Sequence, residues 1–420
     1  MATKVNQDKP IEKDWDHKKL GKELDLFTFS DLVGKGLPLW TPKGAAIRRE
    51  IERFIVDEEI KRGYSHVYTP DIAKLDLYKK SGHYPYYKES MYAPLKIEDE
   101  EFMLRPMTCP HHFELFLDKP RSYKELPIRY AELAKLYRFE KSGELMGLQR
   151  VRSFCLADAH IICTKKQASD EIDSVLDLIE FVANTFGLIK EKDFHYRLSL
   201  GDRNDEKKYF KDDKSWDMSE DLLRKVLVDR KAKYEEANSE AAFYGPKIDV
   251  QMVNANGKED TAFTVQYDFV MPKRFSLNYV NEEGGLTEAV VVHRSSVGAI
   301  ERIIALLIEK YKGNFPTWLS PVQVKILPIS EKHLDYANKI FNTLKENGTR
   351  VEIDERNETL GGKIRDAQIE KVSYMLIVGD KEEKNNTITE RGRSGKDFGE
   401  QKLEDFIVNI KKEIEEKLIN

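Results

Sequence analysis

Arginines gathered in one strand, loop, strand segment are the first residues here whose type and spacing could do chemistry. YRFEKSGELMGLQRVRSF carries Arg138, Glu140, Arg150, Arg152 and Phe154. A guanidinium fixed on a strand grips phosphate or carboxylate with paired hydrogen bonds; a salt-bridged surface hairpin is the competing reading. Neither GxxxxGKS/T nor a GxGxxG after a strand occurs, so a phosphate-cradling glycine loop has no support. A second set is Cys109 in RPMTCPHH, His160 in LADAHIIC and His293 in VVVHRSSVG, each within or beside an apolar strand. One thiolate and two imidazoles suit zinc and leave an open position of the catalytic kind. Zinc ligands usually come in close pairs, whereas these lie far apart, so a buried thiol with two hydrogen-bonded core histidines is the simpler reading of the spacing. His111 and His112, beside Cys109, compete for the same role. His83 in SGHYPYYKESMY, followed by Lys88, reads either as a pocket wall or as a packed aromatic loop. Cys155 and Cys163 read as small inert hydrophobes.

The elements that must hold these residues follow from periodicity. GAAIRREIERFIVDEEIKRG places Ile47, Ile51, Phe54, Ile55 and Ile60 at near-helical spacing, and Gly63 stops the helix. HVYTP then alternates like a strand up to Pro70. EFMLRPM, PIRYAELAKLYRFE and VRSFCLADAHIIC read as strands before a helix from about Lys166 to Phe186. FYGPKIDVQMVN, DTAFTVQYDF and EAVVVH read as neighbouring strands of one antiparallel sheet, with Asn256-Gly257 turning between the first two. VGAIERIIALLIEKYKG reads as a largely buried helix lying against that sheet. Beyond Pro316, Pro321 and Pro328 strands alternate with helices, which predicts a separate small α/β domain with a mainly parallel sheet.

Composition bounds the function. The chain has 420 residues, 34% of them charged, at a formal net charge of −5, so nucleic-acid binding would have to be local rather than driven by bulk charge. The C-terminal stretch from 318 onward carries Lys and Arg 18 against Asp and Glu 20, a net of −2. Three cysteines are too few for a disulfide framework and fit a reducing cytosol. No signal sequence is visible and no apolar run approaches the roughly 18 residues of a bilayer span, which predicts a cytoplasmic protein without a membrane partner. The polar first residues are expected to fray.

In order along the chain, SGHYPYYKESMY, RPMTCPHH, RYAELAKLYRFEKSGELMGLQRVRSF, ADAHIIC, FYGPKIDV, VQYDF and HRSSVGAIERIIALLIE resemble the threonyl-tRNA synthetases, a family of class II aminoacyl-tRNA synthetases. The resemblance runs from about Asp16 to the C-terminus. It implies an α+β protein: a polar tail (1–15), a class II antiparallel sheet of about six or seven strands with flanking helices (16–317), and a small α/β anticodon-binding domain (318–420). The activity implied is ATP-dependent ligation of L-threonine to tRNA(Thr) through a threonyl-adenylate, with Mg2+ accompanying ATP. One Zn2+ per chain would sit on Cys109, His160 and His293 and select threonine over valine. Asp158 would take the substrate ammonium, with Tyr244 and Gln266 lining the same pocket. Arg138 would hold the α-phosphate and the amino-acid carboxylate, Glu140 the adenine amino group and Arg150 the γ-phosphate. Phe154 and Arg302 would sandwich the adenine, with Lys247 assisting, and His83 would help deprotonate the tRNA ribose hydroxyl. Asn357, Glu382 and Arg391 would read anticodon bases. The sequence departs from the common family text at Met146, Leu156, Phe263 and Ala299. A homodimer formed through the Gly44–Gly63 helix and its following strand is implied. So is a trans-acting editing protein or a truncated chain, since the family commonly carries N-terminal editing domains.

Overall fold

The computed structural model describes residues 16–253 and 259–419. The polar tail and the Asn256-Gly257 turn lie outside the described residues. The chain divides into two compact units, one comprising Phe29–Leu37 with Glu52–Ala305, the other Met1–Thr28, Pro38–Ile51 and Leu306–Asn420.

The first unit is built on an eight-stranded sheet. Its strands are β1 (Ser65–His66), β2 (Ile128–Tyr137), β3 (Ser153–Cys163), β4 (Phe194–Ser199), β5 (Tyr234–Ala237), β6 (Lys247–Val253), β7 (Glu259–Asp268) and β8 (Val290–Ala299), in spatial order β5-β4-β6-β7-β8-β3-β2-β1. The six inner strands are antiparallel, and the edge strands β1 and β5 each pair parallel to a neighbour. The sheet is thus larger than the six or seven strands implied by the resemblance. Of HVYTP only His66 lies in β1; one further backbone bond, Val67 N–H to Ala131 O, continues the pairing, and Tyr68 stands exposed. The helix before β1 runs Pro42–Lys61 and ends, as expected, before Gly63 at φ +82°.

The helix Ala168–Thr185 buries Ile172, Val175, Leu176, Ile179, Val182 and Ala183, a helical-period stripe that packs on β7 and β8. VGA, expected to open the last helix of this region, instead ends β8, and the helix begins at Ile300. The cause is a bulge between Ser295 and Ala299 centred on Gly298, whose φ is +70°. A Cβ there would lie 2.2 Å from Ala262 O, so only glycine fits.

On the sheet face carrying Arg294, a buried ion pair ties β8 to the Pro42–Lys61 helix. Arg294 Nη1 lies 2.6 Å from Glu59 Oε1, which also accepts from Ser296 Oγ at 2.8 Å, while His66 Nε2 lies 2.9 Å from Glu59 Oε2. Burial alone would raise the Glu59 carboxyl, but Arg294, His66 and Ser296 outweigh it and hold it below the ordinary value of 4.5. Its stabilising contribution is therefore present above that value and is lost as pH falls through the depressed one. Glu59→Leu, which strands the Arg294 cation in the interior, should lower the unfolding free energy by about 3–5 kcal/mol, read as a drop in the urea midpoint.

The second unit carries a five-stranded sheet of β9 (Val324–Pro328), β10 (Val351–Ile353), β11 (Tyr374–Val378), β12 (Ile388–Gly392) and β13 (Asp397–Gln401), ordered β10-β9-β11-β12-β13. Only β10, β9 and β11 are parallel; β12 and β13 are antiparallel, which corrects the expectation of a mainly parallel sheet. Helices Leu334–Glu346 and Leu403–Glu415 bury Ile340, Leu344, Phe406 and Ile410 in the cluster that holds Val324, Ile326 and Leu376.

Candidate active site and metal centre

Strand register assembles the site. Lys247, Gln266, His293, His160 and Tyr130 are direct cross-strand neighbours on β6, β7, β8, β3 and β2, so their side chains share one face. Two residues along, Asp249, Thr264, Ser295, Asp158 and Glu132 form a parallel row on the same face. A cavity of about 590 Å³ opens over these rows, lined among others by His83, Cys109, Arg138, Asp158, His160, Tyr244, Gln266, His293 and Arg302. That volume suits a small-molecule substrate and its cosubstrate.

Cys109 is not on a strand; it begins the helix Cys109–Leu117, with Pro110 in the first turn. Its sulfur and one nitrogen each of His160 and His293 lie within 4.8 Å of one another, all three residues being buried. Their hydrogen bonds leave the right atoms for a metal. His293 Nε2 is 2.7 Å from Asp268 Oδ2, while Asp268 Oδ1 accepts from the N–H groups of Val270 and Met271, so Nδ1 is the donor atom left over. His160 Nδ1 is 2.8 Å from His112 Nδ1, leaving Nε2, which lies 3.9 Å from Asp158 Oδ1. Burial pushes the Cys109 thiol well above its ordinary range, with the charges of Asp158 and Asp268 adding to it, and burial holds the His160 imidazole neutral. A divalent cation would relieve both the buried thiol and the neighbouring carboxylates, so the donor set fits zinc. Of the two rivals, His111 faces Tyr78, with ring centroids 6.3 Å apart, and His112 bonds to His160.

Arg138 and Arg302 stand on the cavity wall. Arg138 makes one long bond, Nε to Pro106 O at 3.4 Å, and its guanidinium lies 5.1 Å from the centroid of Phe154. Arg302 donates to Thr261 O at 2.8 Å and Gln149 O at 3.3 Å. Burial lowers the pKa of both, and Arg302 lowers Arg138 further. Among the described residues neither is held in an ion pair. Arg150 differs: its Nε is 2.7 Å from Glu140 Oε2 and its Nη2 3.2 Å from Glu144 Oε2, so the proposed adenine and γ-phosphate readers are bonded to each other.

Asp158 is raised by burial, His112 and His293 opposing. The Tyr244 hydroxyl donates to Gln266 Oε1, and its ring stacks on His293 at 4.8 Å between centroids. His83 follows Gly82, whose φ is +79° and where a Cβ would meet Arg274 Nη1 at 1.8 Å. Burial, with the His293, Arg274 and Arg138 charges, depresses His83 to about 3, and its Nδ1 is 2.7 Å from Ser81 Oγ. Lys247 is ion-paired with Asp249 Oδ2 at 2.7 Å and is not among the residues lining the cavity. Of the departures, Leu156 and Ala299 line the cavity, while Met146 and Phe263 do not.

In the second unit Asn357 follows β10 and lines a shallow hollow with Glu355, Arg356 and Lys363. Glu382 is buried, its oxygens accepting from Gly379 N–H at 2.9 Å and Thr389 Oγ1 at 2.8 Å. Arg391, on β12, pairs with Asp397 at 3.1 Å. Sequence reading missed Glu132, His112 and Asp268 as partners of the metal-site histidines. His112 alone carried a local signal: three residues after Cys109 on a helix, it shares that residue's side.

Residues 92–311 match the family described as tRNA synthetase class II core domain (G, H, P, S and T), and residues 323–413 match an anticodon binding domain. The chain is 50% identical over 406 residues to the threonine--tRNA ligase of Geobacillus kaustophilus, covering 96% of this chain and 62% of that protein. It is 49% identical over 404 residues to that of Staphylococcus aureus, again with 96% and 62% covered. The chain therefore spans less than two thirds of the curated relatives it matches. Among solved structures, a chain titled as the RNA binding domain of threonyl-tRNA synthetase from Cryptosporidium parvum superposes with a TM-score of 0.89 at 35% identity, covering 94% of this chain and 98% of that one. A putative threonyl-tRNA synthetase from Aeropyrum pernix gives a TM-score of 0.84 at 29% identity, with 96% and 97% covered. With the class II core matched over more than half its length and the C-terminal domain matched as well, the chain belongs to the threonyl-tRNA synthetase family of class II tRNA synthetases.

Proposed function

We propose that this chain activates L-threonine with Mg-ATP and transfers it to tRNA(Thr). The observation that carries the reading is one cavity lined by two half-buried arginines that have no ion-pair partner among the described residues, together with a Cys/His/His donor set. The arginines call for a polyanion; the donor set calls for a metal-binding substrate. Arg138 and Arg302 neutralise the phosphates while the threonine carboxylate attacks the α-phosphorus and expels pyrophosphate, so catalysis comes from positioning and charge. Asp158 receives the substrate ammonium, an ion that its burial otherwise lacks. Zinc on Cys109, His160 and His293 would supply Lewis-acid positions for the hydroxyl of threonine, which valine lacks, and for its amine once the ammonium has given a proton to Asp158. Phe154 stacks on the adenine. Glu140 and Arg150 reach the base and γ-phosphate by exchanging their mutual bond for ligand, and Lys247 acts at second hand by fixing Asp249 beneath the site.

In the transfer step His83 accepts the ribose proton; at about 3 it is unprotonated across the physiological range but a weak base. Asn357 and Arg391 offer anticodon contacts, and Glu382, bonded to Gly379 and Thr389, fixes the strand that carries Arg391. The same reading includes a homodimer acting in the cytoplasm, in keeping with three free buried cysteines. No helix among the described residues is long and apolar enough to cross a membrane.

Threonine-dependent ATP–pyrophosphate exchange is the deciding measurement; no exchange with threonine, or equal exchange with valine, ends this reading. Serine keeps both metal-binding groups and lacks one methyl, so its exchange kcat/KM should trail that of threonine by only about 10- to 200-fold. An editing activity would then be needed, and a serine defect beyond about ten-thousandfold would remove that need.

A further inference from the structure

The His160 imidazole is not simply buried beside the site; it is one link in a chain of interior polar groups. His160 Nδ1 faces His112 Nδ1 at 2.8 Å, and His112 Nε2 faces Glu132 Oε2 at 3.3 Å. Glu132 Oε1 accepts from Arg105 Nη1 at 2.9 Å and from Thr69 N–H at 3.3 Å, while Oε2 also accepts from Thr69 Oγ1 at 2.7 Å. Arg105 is fixed in turn by Lys135 O and Thr69 O. His160, His112, Glu132 and Arg105 are each at most 2% exposed, so the line runs through the interior of the unit.

We propose that His112 is a positioning residue that sets the tautomer of His160, through the line Arg105–Glu132–His112–His160, so that Nε2 meets a metal as a bare lone pair. Two facing Nδ1 atoms share one hydrogen, so one ring donates and the other accepts. Glu132, an acceptor only while ionised, takes the Nε2 hydrogen of a neutral His112. That leaves the His112 Nδ1 lone pair to accept from His160 Nδ1–H, and His160 Nε2 is bare. His293 reaches the same state by a shorter route, its Nε2–H going to Asp268. Two imidazoles oriented by outer carboxylates, one directly and one through a second ring, are pre-set for a cation.

The inference rests on the zinc reading only for its purpose. The tautomer itself can be read in the metal-free full chain by 15N NMR of labelled histidines. Wild type should show His160 protonated on Nδ1 and His112 neutral and protonated on Nε2. In His112→Leu the His160 proton should redistribute to Nε2, and zinc affinity, measured by chelator competition, should fall by about 10- to 100-fold. His112→Asn places an amide oxygen near the lost Nδ1 and should keep both the tautomer and most of the affinity. An imidazolium at His112, a proton on His160 Nε2 in wild type, or equal losses in the Leu and Asn variants overturns the proposal. Failure of wild type to take up zinc would instead sink the metal reading, while the NMR result still decides the tautomer.

Discussion

Arg138→Ala should reduce threonine-dependent ATP–pyrophosphate exchange by about a thousandfold or more, the range seen when a preorganised charge on a transferring phosphoryl group is removed. The same variant should not unfold. In the ligand-free protein Arg138 has only a 3.4 Å bond to Pro106 O and a ring contact with Phe154, while its half-buried cation is partly desolvated and repelled by Arg302. Deleting a desolvated and unpaired charge removes a penalty, so the thermal midpoint should hold or rise. A loss of activity accompanied by a large drop in midpoint would mean that Arg138 is structural. Intact activity in a stable variant would mean that phosphate is held elsewhere. Arg302→Ala should lose activity in the same direction, with less gain in midpoint, because two carbonyls lose their donor.

Cys109→Ala should release the metal and, with it, the choice between threonine and valine. A pocket that lacks a partner for the hydroxyl separates such isosteres by about a hundredfold, whereas a site built around that group reaches 10⁴–10⁵. The threonine-to-valine ratio of kcat/KM should therefore fall by about two orders of magnitude, chiefly through threonine, with zinc content below one per chain by elemental analysis. An unchanged ratio in a metal-free variant would assign the discrimination to Tyr244, Gln266 and the pocket walls instead.

How much of this was legible before the structure depends on where each signal lives. The stripe of Ile172, Val175, Leu176 and Ile179 is local, and the helix was expected within two residues of where it lies. Five of the six inner strands announced themselves by apolar or alternating runs, whereas β4, FHYRLS, went unread. The edge strand β5 did not announce itself either: four residues long and half-exposed, it is defined by pairing with a distant partner rather than by composition, while β1 was read as a longer run, HVYTP, than the two residues that pair. Cys109 was placed within or beside an apolar strand, yet it opens a helix, where the proline that follows it sits naturally in the first turn. The candidate metal donors were singled out by residue type, but only resemblance favoured them over a buried thiol with two core histidines, because cross-strand register brings His160 and His293 together and spacing carries no trace of it. The Glu132–His112–His160 line was invisible for the same reason. The second sheet was misjudged where β12 and β13 turn back, since alternation of strand and helix fails to report a terminal hairpin.

The pairing of His293 with His160 also makes the site a gauge of correct assembly. A slip of one residue between β3 and β8 would part the two imidazoles, leaving His160 on its face and turning His293 to the opposite one, with Arg294 or Val292 in its place. No partially zipped arrangement of these strands can gather the three donors. Because His293 lies near the end of its unit, a growing polypeptide cannot complete the set until almost all of that unit has been made. Ion capture would thus come last, and would lock only the chains whose strands had already met in the proper alignment.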